Sequence, residues 1–495
     1  MSTPQPNRFF SNRKLPTFTD VSLVVALVVI SLLTGLAIGL NIYFVLPIVF
    51  LPALLMVSTR VVDVEAHAHV LASLGLLAFA VFVLWPRYSY LRFGYLPGVT
   101  PSRLVLAIWF VVWASFWLRS PAFRQNVSDW LRASGGIGWL VAFVLGWRFF
   151  GNLFADNPLQ GTYVLANEVV SLGLIFLLAS VSQKDRAVFP RFAHVLGLVS
   201  MIVCLLALIE YWWRENLFVG ILPITDDYAA QALSAKIRDA GYRAQSTFDH
   251  PLTLAQFLVT AIPLMAAMFL SAPRLRMRMA WGLVILAAIA GVVVTGTRSA
   301  VAVSIASAFS FAVLVGMKQI VSREISLRGL LATIASIAAI TLGVFAVSDH
   351  LIQLALGRTA AEVSSSSARL IMLERAWPVI MDSPVFGHGV GRAAELVGIV
   401  GANRILTVDS LVISFAVESG LIVLFAYVAL MVVGMVHSVR SMAIGGVTAY
   451  WGAGLSASLF AFFLTTVTLS LTGNLFLLAF LLAMVVALRR NGSPE

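Results

Sequence analysis

The amino-acid sequence predicts an all-α polytopic membrane protein, and three observations support this class. Hydrophobic residues make up 60% of the 495-residue chain and charged residues only 11%, whereas soluble domains contain about 25% charged residues. Apolar runs of about 17–24 residues, each long enough to cross a hydrocarbon core of roughly 30 Å, recur along the chain. The basic residues concentrate in alternate connections between these runs, as a membrane topology requires.

The hydropathy pattern predicts about 12–14 membrane-spanning helices. The lower number omits the two weakest segments, 136–150 and 298–316. In chain order, the candidate spans lie near residues 21–39, 42–58, 67–85, 103–119, 136–150, 163–182, 192–214, 252–271, 280–296, 298–316, 329–347, 408–436, 447–468 and 472–488.

Two connections are long and mix apolar, aromatic and charged residues, so they are predicted to be structured loops rather than linkers. The predicted organisation is an N-terminal tail (1–20), N-terminal spans (21–214), a first long loop (215–251), central spans (252–347), a second long loop with an interfacial helix (348–407), C-terminal spans (408–488) and a C-terminal tail (489–495).

The distribution of Lys and Arg predicts the orientation of the chain. With the N-terminus in the cytoplasm, cytoplasmic connections hold 19 of the 33 basic residues and outer connections hold 13, while Arg148 lies near the end of a span. This excess agrees with the positive-inside rule, and an even number of spans places both termini in the cytoplasm. We expect the first span to be retained, because no convincing cleavage signal follows it.

Several classes of function are excluded by the same pattern. The net charge of +11 comes from basic residues spread between the spans, without the basic stripe of a nucleic-acid-binding protein. The one cysteine, Cys204, allows no intrachain disulfide. The seven histidines show no convincing metal-ligand spacing, so no metal or other cofactor is predicted.

The outer arginines are the unusual feature, because positive charge on this side opposes the topology rule. A guanidinium group offers a planar fork of donors suited to phosphate oxygens. Arg243 precedes His250 and Pro251, which are predicted to open a membrane helix whose N-terminus favours an anion. Arg298 lies in a turn predicted to be too short to leave the interface, where an unpaired cation is costly. The alternative is that these residues are solvated loop charges or pair with acidic lipid.

Residues 364–392 are predicted to form a short interfacial helix followed by a glycine-rich turn. Ser366 or Ser367 can cap its start, and Pro378 is expected to limit it. Arg369, Leu373 and Trp377 would share one face, with Arg369 at the N-terminal end. Arg369 and Arg375 are candidate diphosphate-binding residues, as are Arg243, Arg298 and His250.

Two carboxylates are candidate catalytic residues. Asp409 either caps the helix that follows the second long loop, acts as a general base, or pairs with an arginine. Glu418 lies nine residues further, about 13 Å deeper in that helix, where a carboxylate is a functional candidate by default. Glu210, by contrast, is expected to form an interfacial ion pair with Arg214.

Four segments, taken in order, resemble the bacterial O-antigen ligase and O-antigen polymerase superfamily over roughly residues 240–430. They are YRAQSTFDHPLTLAQFL (242–258), VTGTRSAVAV (294–303), ARLIMLERAWPVIMDSPVFGHGVG (368–391) and VDSLVISFAVESGL (408–421).

The resemblance implies a GT-C-like, inverting and metal-independent glycosyltransferase in the bacterial inner membrane, with its active site facing the periplasm. Its substrate would be an undecaprenyl-diphosphate-linked glycan, and a chain-length regulator and a flippase would be partners. Arg243, Arg298 and Arg369 would hold the diphosphate leaving group, where fixed guanidinium groups stabilise the charge that develops.

One departure from the family pattern guides the choice of reaction. Ligases of this family typically have His-Asn or His-Ser where this chain has Asp409-Ser410, and the Asp variant resembles the polysaccharide polymerases. We therefore expect a polymerase of exopolysaccharide or O-antigen repeat units. The alternatives are an O-antigen ligase or protein O-oligosaccharyltransferase and, in another class, a polysaccharide transporter or flippase.

Overall fold

The computed structural model describes residues 64–90, 100–179, 188–222, 227–238, 241–321, 360–400, 406–469 and 472–490. The predicted spans 21–39, 42–58 and 329–347 lie outside these ranges. The helices in the described residues are α1 (Val64–Leu84), α2 (Pro101–Arg119), α3 (Pro121–Ala133), α4 (Ile137–Asn152), α5 (Pro158–Ala179), α6 (Val188–Trp213), α7 (Asp227–Leu233), α8 (Pro251–Ser271), α9 (Leu275–Val294), α10 (Arg298–Val321), α11 (Ala360–Asp382), α12 (Ala393–Val397), α13 (Leu411–Ser441), α14 (Gly446–Thr468) and α15 (Leu475–Arg490).

Extended structure in these ranges is limited to two antiparallel hairpins of two-residue strands. In the first, β1 (Ile237–Arg238) pairs with β2 (Gly241–Tyr242); in the second, β3 (Ile399–Val400) pairs with β4 (Leu406–Thr407). The all-α polytopic prediction is therefore confirmed.

Eight helices in the described part of the chain are long and apolar enough to cross a membrane, and α3 with α4 makes a ninth if this pair, bent by 93°, counts as one span. The eight segments are Pro101–Leu118, Val188–Trp213, Pro251–Ser271, Leu275–Val294, Arg298–Lys318, Leu411–Ile444, Gly446–Thr468 and Thr472–Arg489. The predicted spans at 67–85 and 163–182 fall on α1 and α5, whose apolar stretches are shorter. The total number of spans stays a prediction.

Helix α8 lies at the centre of the main core. It begins as predicted, with His250 as its N-cap and Pro251 in its first turn, where the missing amide costs no helical hydrogen bond. Nearly every residue from Pro251 to Met268 is buried, and α8 packs against α9, α10 and α14. Helix α15 is similarly enclosed, whereas α9 exposes an apolar stripe suited to lipid contact.

A smaller hydrophobic cluster lies apart from the main core. It joins α11, α12 and the first turns of α13 through Ala376, Ile380, Ala393, Val397, Val408, Ala416 and Val417. We call the described residues 370–400 and 406–419 the outer module. Its small core shows that the described part of the second long loop packs with the first turns of α13 partly as a unit of its own.

Helix α11 departs from its predicted limits. It begins at Ala360, upstream of the serines expected to cap it, and it continues through Pro378 to Asp382. Pro378 is exposed, so the carbonyl group that its ring deprives of a partner can meet solvent, and the helix is not ended there. The expected cap at Ser366 or Ser367 and the expected stop at Pro378 are therefore wrong.

Helix α13 is broken inside the segment predicted as one continuous span. Gly420 has φ of 81° and ψ of 175°, which separates a half-helix (Leu411–Ser419) from the longer part that follows. The loop 383–392 fills the break: the amides of His388 and Gly389 donate to the carbonyls of Val417 and Glu418, each at 3.0 Å. The amide of Leu421 donates to the carbonyl of Pro384 at 2.8 Å. The backbone groups released by the break are thus satisfied.

Candidate active site

The segment 241–250 carries Arg243 and is buried against the end of the main bundle. Arg243 is 5% exposed. Its Nε donates to the Thr295 carbonyl at 2.8 Å and its Nη2 to Thr297 Oγ1 at 3.0 Å. The amide of Ala244 donates to the Val294 carbonyl at 3.0 Å. The guanidinium is therefore held in place by the turn between α9 and α10.

Arg298 begins α10 directly after that turn. Gly296 has φ of 58°, in the left-handed region that favours glycine, and a Cβ added there would lie 3.2 Å from Arg243 Cγ. Arg298 is half-buried and also has a bonded or electrostatic partner. One tight turn thus brings two of the predicted diphosphate-binding arginines, 55 residues apart in the chain, to the same place (298 − 243 = 55).

Glu210 fixes the shape of the Arg243 segment. Its buried carboxylate accepts hydrogen bonds from Tyr242 Oη at 2.8 Å, the Gln245 amide at 3.2 Å and the Ser246 amide at 2.5 Å. The expected ion pair with Arg214 is wrong, because Arg214 lies exposed beyond the end of α6 while the loop supplies nearer donors. Burial, followed by the nearby Glu210 carboxylate, raises the pKa of Tyr242 well above its usual range, so the phenol remains a donor.

His250 is placed by its capping role. Its Nδ1 accepts from the Leu252 amide at 3.1 Å, so the lone pair on this nitrogen is directed at the first turn of α8. The ring is half-buried and has a further partner. A phosphate-binding role for His250 stays a prediction.

Arg87 is a neighbour of the Arg243 segment that the sequence did not single out as a site residue. Its Nη1 donates to the Gly473 carbonyl at 2.6 Å and its Nη2 to Asn474 Oδ1 at 3.3 Å. Its Cζ lies 4.9 Å from the ring centre of Phe248 and 5.2 Å from that of Phe476. A lone arginine after an apolar run gave no signal, because its partners come from distant parts of the chain.

Asp409 lies in the outer module, just before the half-helix. The helix is capped by Ser410, whose Oγ accepts from the Ile413 amide at 3.3 Å, so the interpretation of Asp409 as the cap is wrong. The Asp409 amide faces Met372 Sδ at 3.5 Å. Its carboxylate is half-buried, and within the described residues it makes no hydrogen bond or ion pair.

Glu418 has a partner that the sequence did not predict. Its Oε2 accepts from Arg148 Nη2 at 2.9 Å, and Arg148 also makes a bidentate pair with Glu168, both contacts at 2.8 Å. All three side chains are buried. Glu418 is therefore engaged in an ion cluster, and the geometry favours a structural role over the predicted catalytic one.

The remaining predicted arginines lie on α11. Arg369 falls within the helix as predicted, but its side chain lies outside the described residues. Arg375 is exposed, and its Nη1 contacts the Gly398 carbonyl at 3.4 Å. On the face expected to carry Arg369, Leu373 and Trp377 are exposed by 52% and 60%. These residues are not brought onto the Arg243 turn by any described contact.

The main bundle and the outer module meet beside these groups. The Leu411 amide donates to the Leu469 carbonyl at 3.1 Å, and Asn474 Nδ2, five residues further, donates to Thr253 in the first turn of α8. The cations of the Arg243 turn and the carboxylate of Asp409 thus belong to the same end of the molecule. Among the described residues, no group of three or more His, Cys, Asp or Glu side chains could hold a metal ion. The chemistry available is anion binding by guanidinium groups and proton transfer by a carboxylate.

Comparison with known proteins assigns the central part of the chain. Residues 283–428 match the family described as O-antigen ligase, a stretch that includes Arg298, Arg369, Asp409 and Glu418 but not Arg243. No curated protein matches the chain. The match supports a membrane enzyme of ligase or polymerase type. Residues 283–428 are therefore similar to the O-antigen ligase family, and this match supports a family of O-antigen ligase or polymerase type.

Proposed function

We propose that the protein polymerises undecaprenyl-diphosphate-linked oligosaccharide repeat units of an exopolysaccharide or O-antigen. The observation that carries the proposal is the shared turn of Arg243 and Arg298, which lies at the start of the matched family segment. Arg243 is bonded to this turn and Arg298 directly follows it, and two guanidinium groups suit the two phosphates of a lipid-linked diphosphate.

The proposed reaction is an inverting displacement without a metal ion. An acceptor sugar hydroxyl attacks the anomeric carbon of the donor, and the bond from that carbon to the phosphate oxygen breaks. The electron pair of this bond leaves with undecaprenyl diphosphate, whose negative charge Arg243 and Arg298 stabilise. Asp409 takes the proton of the attacking hydroxyl, so the products are the elongated glycan and the free lipid diphosphate.

Asp409 suits the base role better than Glu418. A general base must reach its substrate proton, and the half-buried Asp409 carboxylate makes no hydrogen bond within the described residues. Glu418 is buried and its Oε2 is engaged by Arg148, so it is not placed to reach a substrate hydroxyl.

The decisive experiment uses purified protein with a lipid-linked repeat unit, alone and with lipid A core or a protein acceptor added, and scores the products by length and by the acceptor that carries them. A polymerase yields a ladder of elongated glycans on the lipid carrier, together with free undecaprenyl diphosphate. A single product transferred to lipid A core or to a protein acceptor, without a ladder, would replace the proposal with ligase activity.

Ligase activity is the second candidate because the matched family is described as O-antigen ligase. Surface polysaccharide from a deletion strain separates the two: loss of a polymerase leaves single repeats attached, whereas loss of a ligase leaves long chains unattached. The candidate of another class is a transporter or flippase, which would move lipid-linked sugar across reconstituted vesicles without forming a linkage.

The proposal includes a cellular setting. The protein lies in the bacterial inner membrane with Arg243 and Asp409 facing the periplasm, where the lipid-linked repeats arrive after a flippase has acted. A chain-length regulator is the expected partner. Periplasmic accessibility of a cysteine introduced at Ile221, which is 72% exposed, would test the orientation.

A further inference from the structure

The buried cluster around Arg148 lies where the break in α13 meets α4 and α5. Besides Glu168 and Glu418, Arg148 donates from Nη1 to Ser419 Oγ at 3.1 Å, and its Cζ lies 4.3 Å from the ring centre of Phe415. Arg148 is fully buried. Three of these partners belong to the half-helix, so Arg148 is the main polar link between it and α4.

Arg148 contacts one end of the half-helix. The half-helix runs from Leu411 to Ser419 and ends at Gly420, so it is not continuous with the rest of α13. Arg148 grips its last turn, while Asp409 precedes its first turn, about 13 Å away at the helical rise. A tilt of the last turn would therefore displace Asp409.

The buried ion cluster is not expected to contribute much to the stability of the fold. Removing two carboxylates and a guanidinium from water is costly, and apolar side chains of similar volume usually give equal or greater stability. Buried ion clusters can instead fix one arrangement of neighbouring elements, because any other arrangement leaves a charge unpaired. Here the elements that the cluster joins are α4 and α5 of the bundle and the half-helix of the outer module.

We propose that Arg148 and Glu418 are positioning residues that set the distance between Asp409 on the outer module and the Arg243–Arg298 turn on the main bundle. This inference rests on the proposed function, because it assigns these two groups to one reaction. It explains why a cationic residue and two acidic residues are enclosed in an otherwise apolar bundle.

Spin-label distances in the full-length protein measure the separation between the outer module and the Arg243 segment directly. The chain has one cysteine, the buried Cys204, so Cys204→Ala provides the background. Labels are placed at Leu406, three residues before Asp409, and at Ile237, on the hairpin that leads to Arg243; they are 42% and 71% exposed. The distance distribution is compared between this protein and two variants of the cluster.

The variants form a matched pair. Glu418→Gln removes the charge on the half-helix side, whereas Glu168→Gln removes an equal charge on α5 and leaves the contacts of Arg148 with Glu418 and Ser419. We expect Glu418→Gln to broaden the distance distribution and Glu168→Gln to leave its width unchanged. Ser419→Ala, the mildest change, should broaden it slightly and serves if Glu418→Gln does not fold.

Activity with the lipid-linked repeat gives the second measurement. Turnover by Glu418→Gln should fall by up to about 100-fold, the loss produced by a displacement of about 1 Å at a reacting group, while KM changes little because the arginine turn is intact. If the distance distribution of Glu418→Gln keeps its width, or if both Gln variants broaden it equally, Arg148 and Glu418 do not have the positioning role. Lack of activity in the unmodified protein would refute the proposed function instead, and the distances would still test the arrangement.

Discussion

The Arg243 segment and the outer module are built in opposite ways. The first is tied to the bundle by hydrogen bonds that it donates to acceptors on several elements, namely the Glu210 carboxylate on α6, the Val83 carbonyl on α1 and the turn after α9. The second has a small core of its own, a broken helix and a buried ion cluster. The proposed anion-binding groups thus lie on the part tied to the bundle, and the proposed base lies on the outer module, which has a core of its own.

The largest expected effect comes from the outer module. Asp409→Asn keeps the side-chain volume but removes the proton acceptor, so polymer formation should fall by about 10²–10⁴-fold. The measurement is polymer length and amount at equal membrane levels of protein. Asp382→Asn, an exposed carboxylate on the same module, is the control. Full-length polysaccharide from Asp409→Asn would remove this residue from the mechanism.

The second-largest loss of activity is expected from removing an arginine of the main bundle. Arg298→Ala is expected to lower turnover by about 10²–10³-fold, because charge developing on the leaving diphosphate loses a fixed donor. Arg298→Lys should recover part of the activity, since it restores the charge but not the planar fork. Arg132→Ala, which removes an exposed arginine near Asp129, controls for net charge. Unchanged product from Arg298→Ala would exclude the leaving-group role.

The contact between the loop 383–392 and the break in α13 can be tested with two glycines of the same backbone conformation. Gly420 and Gly445 have φ of 81° and 80°, but a Cβ on Gly420 would lie 2.4 Å from the Val385 carbonyl oxygen, whereas one on Gly445 meets nothing within 4 Å. Both Ala variants carry backbone strain of about 1–3 kcal/mol. Only Gly420→Ala should also displace the loop 383–392. If Gly420→Ala and Gly445→Ala lose equal thermal stability in detergent, the contact between the loop 383–392 and the helix break contributes nothing to stability.

The smallest effect is expected at the anchor of the Arg243 segment. Tyr242→Phe removes one of the hydrogen bonds to Glu210 and should lower the free energy of unfolding by about 1.5–3 kcal/mol. Because burial and Glu210 raise the pKa of Tyr242, the hydrogen bond should contribute fully to stability below about pH 10, where tyrosine in the unfolded chain begins to ionise. Stability should fall above that pH in the parent protein and less steeply in Tyr242→Phe, as followed by thermal unfolding across pH.

Hydropathy and turn chemistry were sufficient for the parts of the fold that depend on local sequence. Each predicted span within the described residues falls on a helix, and the His250–Pro251 start of α8 is confirmed. The break at Gly420 was not predicted, because an isolated glycine in an apolar run has no local signal of a bend. Its cause is the loop 383–392, whose glycines allow a close approach to the broken helix.

The candidate site likewise contains residues that the sequence could identify and contacts that it could not. Arg243 and Arg298 were singled out because a cation near a membrane surface needs an explanation; in the structure Arg243 is bonded to the 295–297 turn and Arg298 directly follows that turn. Glu418 was singled out by the same argument, but its partner Arg148 lies 270 residues away in the chain (418 − 148 = 270). Pairwise contacts of this kind leave no pattern in a single sequence, so depth alone could not separate a base from a member of an ion pair.

The position of the break also bears on how the protein is made. The part of α13 after Gly420, Leu421–Ser441, is 21 residues long, which gives about 31 Å at the helical rise and matches the hydrocarbon thickness unaided. Membrane insertion machinery can therefore retain this part as a complete anchor while the nine residues before it are still unplaced. The loop 383–392 on which they dock leaves the ribosome before them, and Asp409 follows Arg243 and Arg298 in the chain, so the proposed base would be the last of these three groups to be placed during biogenesis.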